Sequence, residues 1–302
     1  MKPEFVARGL SQIKWNLDKT VKRRKMSGFD RDLVMSNIVG LDDDGNWKKH
    51  FETCDLVIEA VLEDMNVKHT VLKQMEDLLP GDAIFATNTS GLKVADIASV
   101  SKRPENVVGM HYFSPVDKMP LLEIIKTDKT SDETLARAYD LGLRQGKTII
   151  VTKDVAGFYV NRCLGPYLVE VMACIAEGAF DDVDKAMVKF GFPMGPLTLG
   201  DMVGIDVAAK IVPNLAGELG ARVGGATTGP FDDLLEKGLL GQKTKKGFFT
   251  YDDKLKKGSI NPEALEIVKK YVKNTEGKPS VEEIGERCSS RFALEAAICV
   301  QD

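Results

Sequence analysis

Between residues 56 and 152, short apolar runs alternate with stretches of helical spacing; beyond residue 154 the alternation stops. Runs at 56–61, 83–87, 106–112, 121–126 and 147–152 have strand length. The segments 66–79, 92–99 and 132–145 repeat apolar residues at three and four. Such alternation predicts a mostly parallel sheet covered by helices. Only helical spacing follows, at 159–177, 181–190 and 197–215, so the expected fold class is α/β and then all-α. Asp181 or Asp182 is the expected cap of the second of these helices, and Pro213 the expected break near the end of the third.

Upstream, Val6, Leu10, Ile13, Leu17 and Val21 predict a helix over 6–25, with a short one over 29–37 and a turn over 42–46. The N-terminal stretch 1–25 is basic and amphipathic in places, but Glu4 and Asp18 interrupt it, which argues against a targeting leader. Lys22 to Lys25 reads as a solvated helix end. Downstream, 253–278 is charged and holds Gly258, Pro262 and Gly277, so it reads as a linker with one helix over 262–272. Arg162, Cys163, Tyr167, Glu170 and Cys174 recur as Arg287, Cys288, Phe292, Glu295 and Cys299 at a shared offset of 125 residues. That repeat predicts the start of a second helical domain. The expected domains are 1–153, 154–252 and 253–302.

Composition narrows the class. Charged residues at 28% and hydrophobic residues at 43% suit a soluble globular protein, and no apolar run reaches membrane-span length. A net charge of −4 gives no reason to expect nucleic acid. Five widely spaced cysteines without a CxxC pair argue for buried reduced thiols rather than a disulfide scaffold or a metal site.

Four segments could carry chemistry. His111 lies at the end of a predicted strand, where open α/β sheets place their sites. Glu123 lies inside an otherwise apolar strand and needs a partner there. As a pair, the carboxylate would hold one imidazole nitrogen and raise the basicity of the other. The residues leave open a structural histidine with an edge-strand glutamate. Asn88-Thr89-Ser90 ends the 83–87 strand and could equally cap the helix from Leu92. Asn161 stands in the first turn of a long helix at the sheet-to-helix junction, a place where ligand clefts form. The basic turn Gly241 to Gly247 could bind phosphate or be solvated. There is no GxGxxG, and Gly224-Gly225 does not follow a strand.

Taken in order, Asp55 to Glu63, Asn88-Thr89-Ser90, Gly109 to Pro115, Leu122 to Ile125, Gly157 to Arg162, Gly191 to Pro196 and Gly241 to Phe249 resemble the 3-hydroxyacyl-CoA dehydrogenase family. The likeness covers roughly residues 6–251. The wording around His111 and the helical repeat look most like its multifunctional β-oxidation branch in mitochondria. There a hydratase domain precedes the dehydrogenase and two related helical domains follow the nucleotide domain. The resemblance implies oxidation of (S)-3-hydroxyacyl-CoA to 3-ketoacyl-CoA with NAD. His111 would be the general base and Glu123 its partner. Ser90 and Asn161 would hold the reacting oxygen, and Glu63, Lys68, Ser90, Ser114 and Lys243 would touch the dinucleotide. It further implies a homo-oligomer or a β-oxidation complex with a thiolase subunit. Membrane association would come only through that complex, and the location would be mitochondrial rather than peroxisomal.

Residue 6 matches the family's helix after its second strand. The expectation is therefore a truncated Rossmann-type, doubly wound sheet without its first two strands and Gly-rich loop. An apolar sheet edge would be exposed and NAD held poorly. Two readings follow: a working dehydrogenase, or a catalytically impaired relative serving as a structural partner in a β-oxidation complex. A 6-phosphogluconate-type dehydrogenase would use a catalytic lysine instead and fits less well.

Overall fold

The computed structural model describes residues 2–42, 47–223, 229–273 and 277–302. Most of the expected turn at 42–46 and the glycine pair 224–225 lie outside them. The chain opens with α1 (Pro3–Lys22), α2 (Gly28–Ser36) and α3 (Trp47–Phe51). A capping box at α2, Ser27 with Asp30, satisfies N–H groups that a helix start otherwise leaves free. Neither α1 nor α2 has a buried residue.

The α/β unit then runs β1 (Leu56–Glu59), α4 (Met65–Glu76), β2 (Ile84–Thr87), α5 (Val94–Ala98), β3 (Val107–Tyr112), β4 (Leu121–Lys126), α6 (Asp132–Arg144) and β5 (Thr148–Lys153). The five strands form one sheet in the order β1-β2-β3-β4-β5. Pairing is parallel except between β3 and β4, which run antiparallel. The mostly parallel sheet is as expected. The antiparallel step follows from an eight-residue connection, far too short for a crossover helix. One face packs on α4, α5 and Phe158; the other packs on α6 through Val108, Met110, Leu122 and Ile124. β1, expected as a buried strand over 56–61, is shorter and lies at the sheet edge, with only Glu59 buried.

The helical unit comprises α7 (Val160–Ala176), α8 (Phe180–Phe190), α9 (Pro196–Val203), α10 (Ile205–Leu219) and α11 (Gly229–Glu236). It continues with the hairpin β6 (Phe249–Tyr251) and β7 (Lys257–Ile260), then α12 (Pro262–Lys269) and α13 (Val281–Gln301). Several expectations are corrected here. Neither Asp181 nor Asp182 caps α8: its cap residue is Ala179, without a side-chain bond, and both aspartates lie inside the first turn. The break expected at Pro213 falls at Gly204, whose φ of +107° a glycine tolerates, while Pro213 sits inside α10. The 253–278 segment holds the expected helix, but it is packed rather than a free linker. It supplies β7 and α12, and Ala264, Ile267 and Val268 sit in the same core as α7 and α8. α13 also joins that core, through Ile284 and Cys288, instead of starting a separate body. A charged surface face masked those apolar positions in the sequence pattern.

Candidate active site

His111 and Glu123 are direct partners across the antiparallel β3–β4 pair. Side chains opposite one another share a face, so the register alone brings the two together. His111 Nδ1 lies 2.6 Å from Glu123 Oε2, and both side chains are buried. A carboxylate only accepts, so the imidazole carries its proton on Nδ1, and Nε2 is left as the basic nitrogen. The sequence showed half of what holds Glu123. Its other oxygen, Oε1, accepts from the backbone N–H groups of Tyr159 (3.1 Å) and Val160 (2.9 Å) at the start of α7. A helix N-terminus favours negative charge, so the carboxylate is held from two sides. Phe113 and Phe158 flank the imidazole, with ring centroids 4.5 and 5.7 Å away.

Gly109 lets α5 pack close beneath this pair. A Cβ there would meet Ile125 Cβ at 2.7 Å and Val94 Cγ2 at 2.9 Å.

Ser90 lies in the loop after β2. Its carbonyl accepts from Asn161 Nδ2 at 2.9 Å, which ties the loop to α7. The cap role considered for Thr89 and Ser90 is not what happens. The helix starts at Val94, and its first N–H groups donate to Asp154 instead, from Val94 at 2.9 Å and Ala95 at 2.6 Å. Thr89 Oγ1 accepts from Leu92 N–H, inside the loop. Asn88 Oδ1 accepts from Tyr112 N–H and joins the ends of β2 and β3.

Glu63 Oε1 accepts from the Thr89 hydroxyl at 2.6 Å and from the N–H groups of Ser90 and Gly91. Burial pushes its carboxyl up, but those bonds and Lys68 outweigh it and hold it below the ordinary glutamate range. Lys68 is fully enclosed. It pairs with buried Glu59 at 2.8 Å and reaches Glu63 at 3.3 Å. Glu59, not singled out by its sequence, also accepts from the Thr87 hydroxyl and Val61 N–H. The signal was an acidic residue closing an apolar strand, the feature that drew attention to Glu123.

Ser114 is the second residue of the loop after β3, and its bond to Pro115 is cis. Lys243 stands apart from this cluster. Its ion pair is with Asp206 at the start of α10, 2.6 Å away, and Lys245 pairs with Asp253. Their loop is held by Asp201, which accepts from the N–H groups of Phe248 and Phe249 and from the Tyr251 hydroxyl. Gly241 and Gly247 leave the space this requires, since a Cβ on either would collide with Asp201.

Among the described residues, no group of three or more His, Cys, Asp or Glu could hold a metal ion, and no helix is long and apolar enough to cross a membrane.

Fold and site together define a class: a Rossmann-like α/β domain followed by a helical domain, with an imidazole–carboxylate pair at the seam between them. The model of the 3-hydroxyacyl-CoA dehydrogenase NAD binding domain matches residues 1–155, and that of the 3-hydroxyacyl-CoA dehydrogenase C-terminal domain matches 157–251. The chain belongs to the 3-hydroxyacyl-CoA dehydrogenase family. It is 45% identical over 287 residues to the fatty acid oxidation complex subunit alpha of Shewanella amazonensis, covering 95% of this chain and 40% of that protein. The Vibrio vulnificus subunit is 44% identical over 298 residues, covering 97% and 41%. The chain thus spans about two fifths of the length of these relatives. The (S)-3-hydroxybutyryl-CoA dehydrogenase PaaH1 of Ralstonia eutropha superposes with a TM-score of 0.75 at 30% identity, over 83% of this chain and 88% of that one. The dehydrogenase part of multifunctional enzyme 1 from C. elegans gives 0.62 at 27%, over 96% and 65%.

Proposed function

We propose that this chain carries the dehydrogenase centre that oxidises the 3-hydroxyl of an (S)-3-hydroxyacyl-CoA to the 3-ketone in fatty acid β-oxidation. The observation that carries this is the buried His111–Glu123 pair, 2.6 Å apart, with the second Glu123 oxygen held by the start of α7. NAD, when bound, supplies the hydride acceptor. His111 Nε2 takes the hydroxyl proton, and Glu123 stabilises the imidazolium that results. Ser90 and Asn161, joined to each other through the Ser90 carbonyl, would hydrogen-bond the reacting oxygen. Glu63 and Ser114 would face the cofactor, and the enclosed Lys68 would act on it only through the Glu63 carboxylate that it supports. Lys243 would reach a cofactor only by leaving Asp206. We assign 1–153 to the nucleotide domain, 154–252 to the helical domain, and 253–302 to a connecting segment and the second helical copy, which packs into the same core.

NAD fits the reacting end of this site better than its diphosphate end. β1 and β2 each lead into a helix whose N-terminus is already filled by a carboxylate: Asp64 on Val67 N–H in α4, and Asp154 on α5. A diphosphate bound at either would meet like charge. This favours a second reading, a relative with impaired catalysis that serves as a structural partner in a β-oxidation complex. A thiolase subunit or a second copy would be that partner. The relatives are bacterial, so a mitochondrial setting rests on sequence resemblance alone.

The test is NADH oxidation by the purified chain with a long-chain 3-ketoacyl-CoA, beside His111→Gln. Turnover lost in the variant supports the dehydrogenase. A folded chain without turnover supports the structural partner.

A further inference from the structure

The loop that carries Ser90 is held from the helical side by two carboxylates that the proposed chemistry does not use. Asp154, in the connection between β5 and α7, accepts the first two N–H groups of α5 at 2.9 and 2.6 Å. Glu218, near the end of α10, pairs with Lys93 at 2.7 Å through Oε1 and accepts Ala156 N–H at 3.2 Å through Oε2. Asn161 adds the third hold, on the Ser90 carbonyl. Residues 90–95 are therefore gripped by the β5–α7 connection, α7 and α10, while Glu63 holds Ser90 and Gly91 from the sheet side.

We infer that Asp154 and Glu218 are positioning residues that latch the Ser90 loop to the helical unit and so set the spacing between Ser90 and the His111–Glu123 pair. The same stretch of chain fixes both sides of the site. Asp154 grips α5, and five residues later Tyr159 and Val160 grip Glu123. A shift of this connection would move Ser90 and the imidazole support together, whereas loss of the Asp154 bonds would loosen the α5 end of the loop and leave Ser90 on Asn161 and Glu63 alone. Burial raises the Asp154 carboxyl, and the N–H groups of Ala95 and Val94 and nearby Lys93 oppose that. With its partners gone, α5 would keep two unpaired N–H groups at its start. Since misplacing a reacting group by an ångström costs on the order of 100-fold in rate, the latch acts on turnover more than on binding.

The kinetic arm of the test rests on the dehydrogenase reading; the structural arm does not. Asp154→Ala, Asp154→Asn and Glu218→Gln are compared with the parent chain by amide hydrogen exchange over residues 89–98, by thermal unfolding, and by kcat and KM for a 3-hydroxyacyl-CoA. Expected for Asp154→Ala is exchange at residues 91–95 faster by at least about tenfold, with the rest of the sheet unchanged. Its kcat should fall roughly 10- to 100-fold at a KM within about threefold. Asp154→Asn, which keeps one acceptor oxygen, should lie between the two. Unchanged exchange at 91–95, or a kcat that falls only as the folded fraction falls, overturns the inference. If Asp154→Ala fails to fold, the half-exposed Lys93–Glu218 pair decides. Faster exchange at 91–95 in both Glu218→Gln and Lys93→Met supports the latch, and parent-like exchange in both overturns it. A parent chain without turnover sinks the dehydrogenase reading, and the exchange result still decides the latch.

Discussion

Arg162 and Glu295 form a buried ion pair, Nε to Oε1 at 2.7 Å, and Arg287 and Glu170 repeat it at 2.8 Å with the helices exchanged. Each residue in one pair has its counterpart 125 residues away in the other. α7 and α13 therefore pack antiparallel about a local two-fold axis. Tyr167 and Phe292, also counterparts, meet edge-on near that axis with ring centroids 6.3 Å apart. Cys174 meets Cys288, as Cys163 meets Cys299. The sequence repeat is thus the signature of an internal pairing of one helix with its own copy.

The two ion pairs are equivalent by symmetry but not by burial. Arg162 and Glu295 are almost wholly enclosed, whereas Arg287 and Glu170 are partly open to solvent. Glu295 also receives Arg222 at 3.0 Å. Removing one partner of a buried pair strands a charge and costs about 3–5 kcal/mol. Glu295→Gln is expected to lower stability by that order in urea unfolding, and Glu170→Gln by clearly less. Equal losses would mean that burial does not rank them.

Glu123→Gln tests the catalytic pair. An amide oxygen can accept either from His111 or from the α7 N–H groups, but its NH2 must then face the other. The tautomer of His111 loses its carboxylate, and kcat should fall roughly 100- to 10,000-fold, with far less change in KM. Stopped-flow or steady-state NADH oxidation measures it. A variant with near-parental kcat would remove Glu123 from the proposed mechanism.

Gly109→Ala is expected to disturb the site from below. The added Cβ meets Ile125 and Val94, both buried, and neither has room to retreat. Overpacking of this kind costs about 1–3 kcal/mol. Thermal unfolding should show the loss, and a Gly217→Ala control, where a Cβ meets nothing within 4 Å, should not.

Asp201 gives a pH-dependent contribution of known sign. Burial pushes its carboxyl up to about 6, against the opposing bonds from Phe249, Phe248 and Tyr251. In the unfolded chain it returns to the ordinary value near 3.8. The folded state therefore keeps a proton that the unfolded state releases. This contribution is complete below about pH 4 and is lost as pH rises through about 6. The stability of the parent chain minus that of Asp201→Asn should fall between pH 4 and 6 and be flat above 7. A difference that rises over that window would overturn the assignment.

Periodicity located the five strands of the main sheet and the longer helices, though not α3, α11 or the β6–β7 hairpin, because a side chain's position in a strand or helix follows from local geometry. The apolar setting of Glu123 marked it as a charge in need of a partner, and the position of His111 at a strand end offered one. The repeat was visible for the same reason: its residues keep a constant offset in the chain. What the local pattern did not contain was every choice made between distant segments. The antiparallel β3–β4 register puts His111 opposite Glu123. The start of α7 holds the second Glu123 oxygen. Asp154, not Thr89 or Ser90, caps α5 from 60 residues away. A cap supplied by a remote carboxylate leaves no mark in the neighbouring sequence, and the helix visible at α12 gave no sign that its apolar side would enter the core of α7 and α8. Local conformational preference wrote the elements into the sequence. Burial, which depends on what lies across the fold, decided which charges met and which of the two equivalent ion pairs was sealed from water.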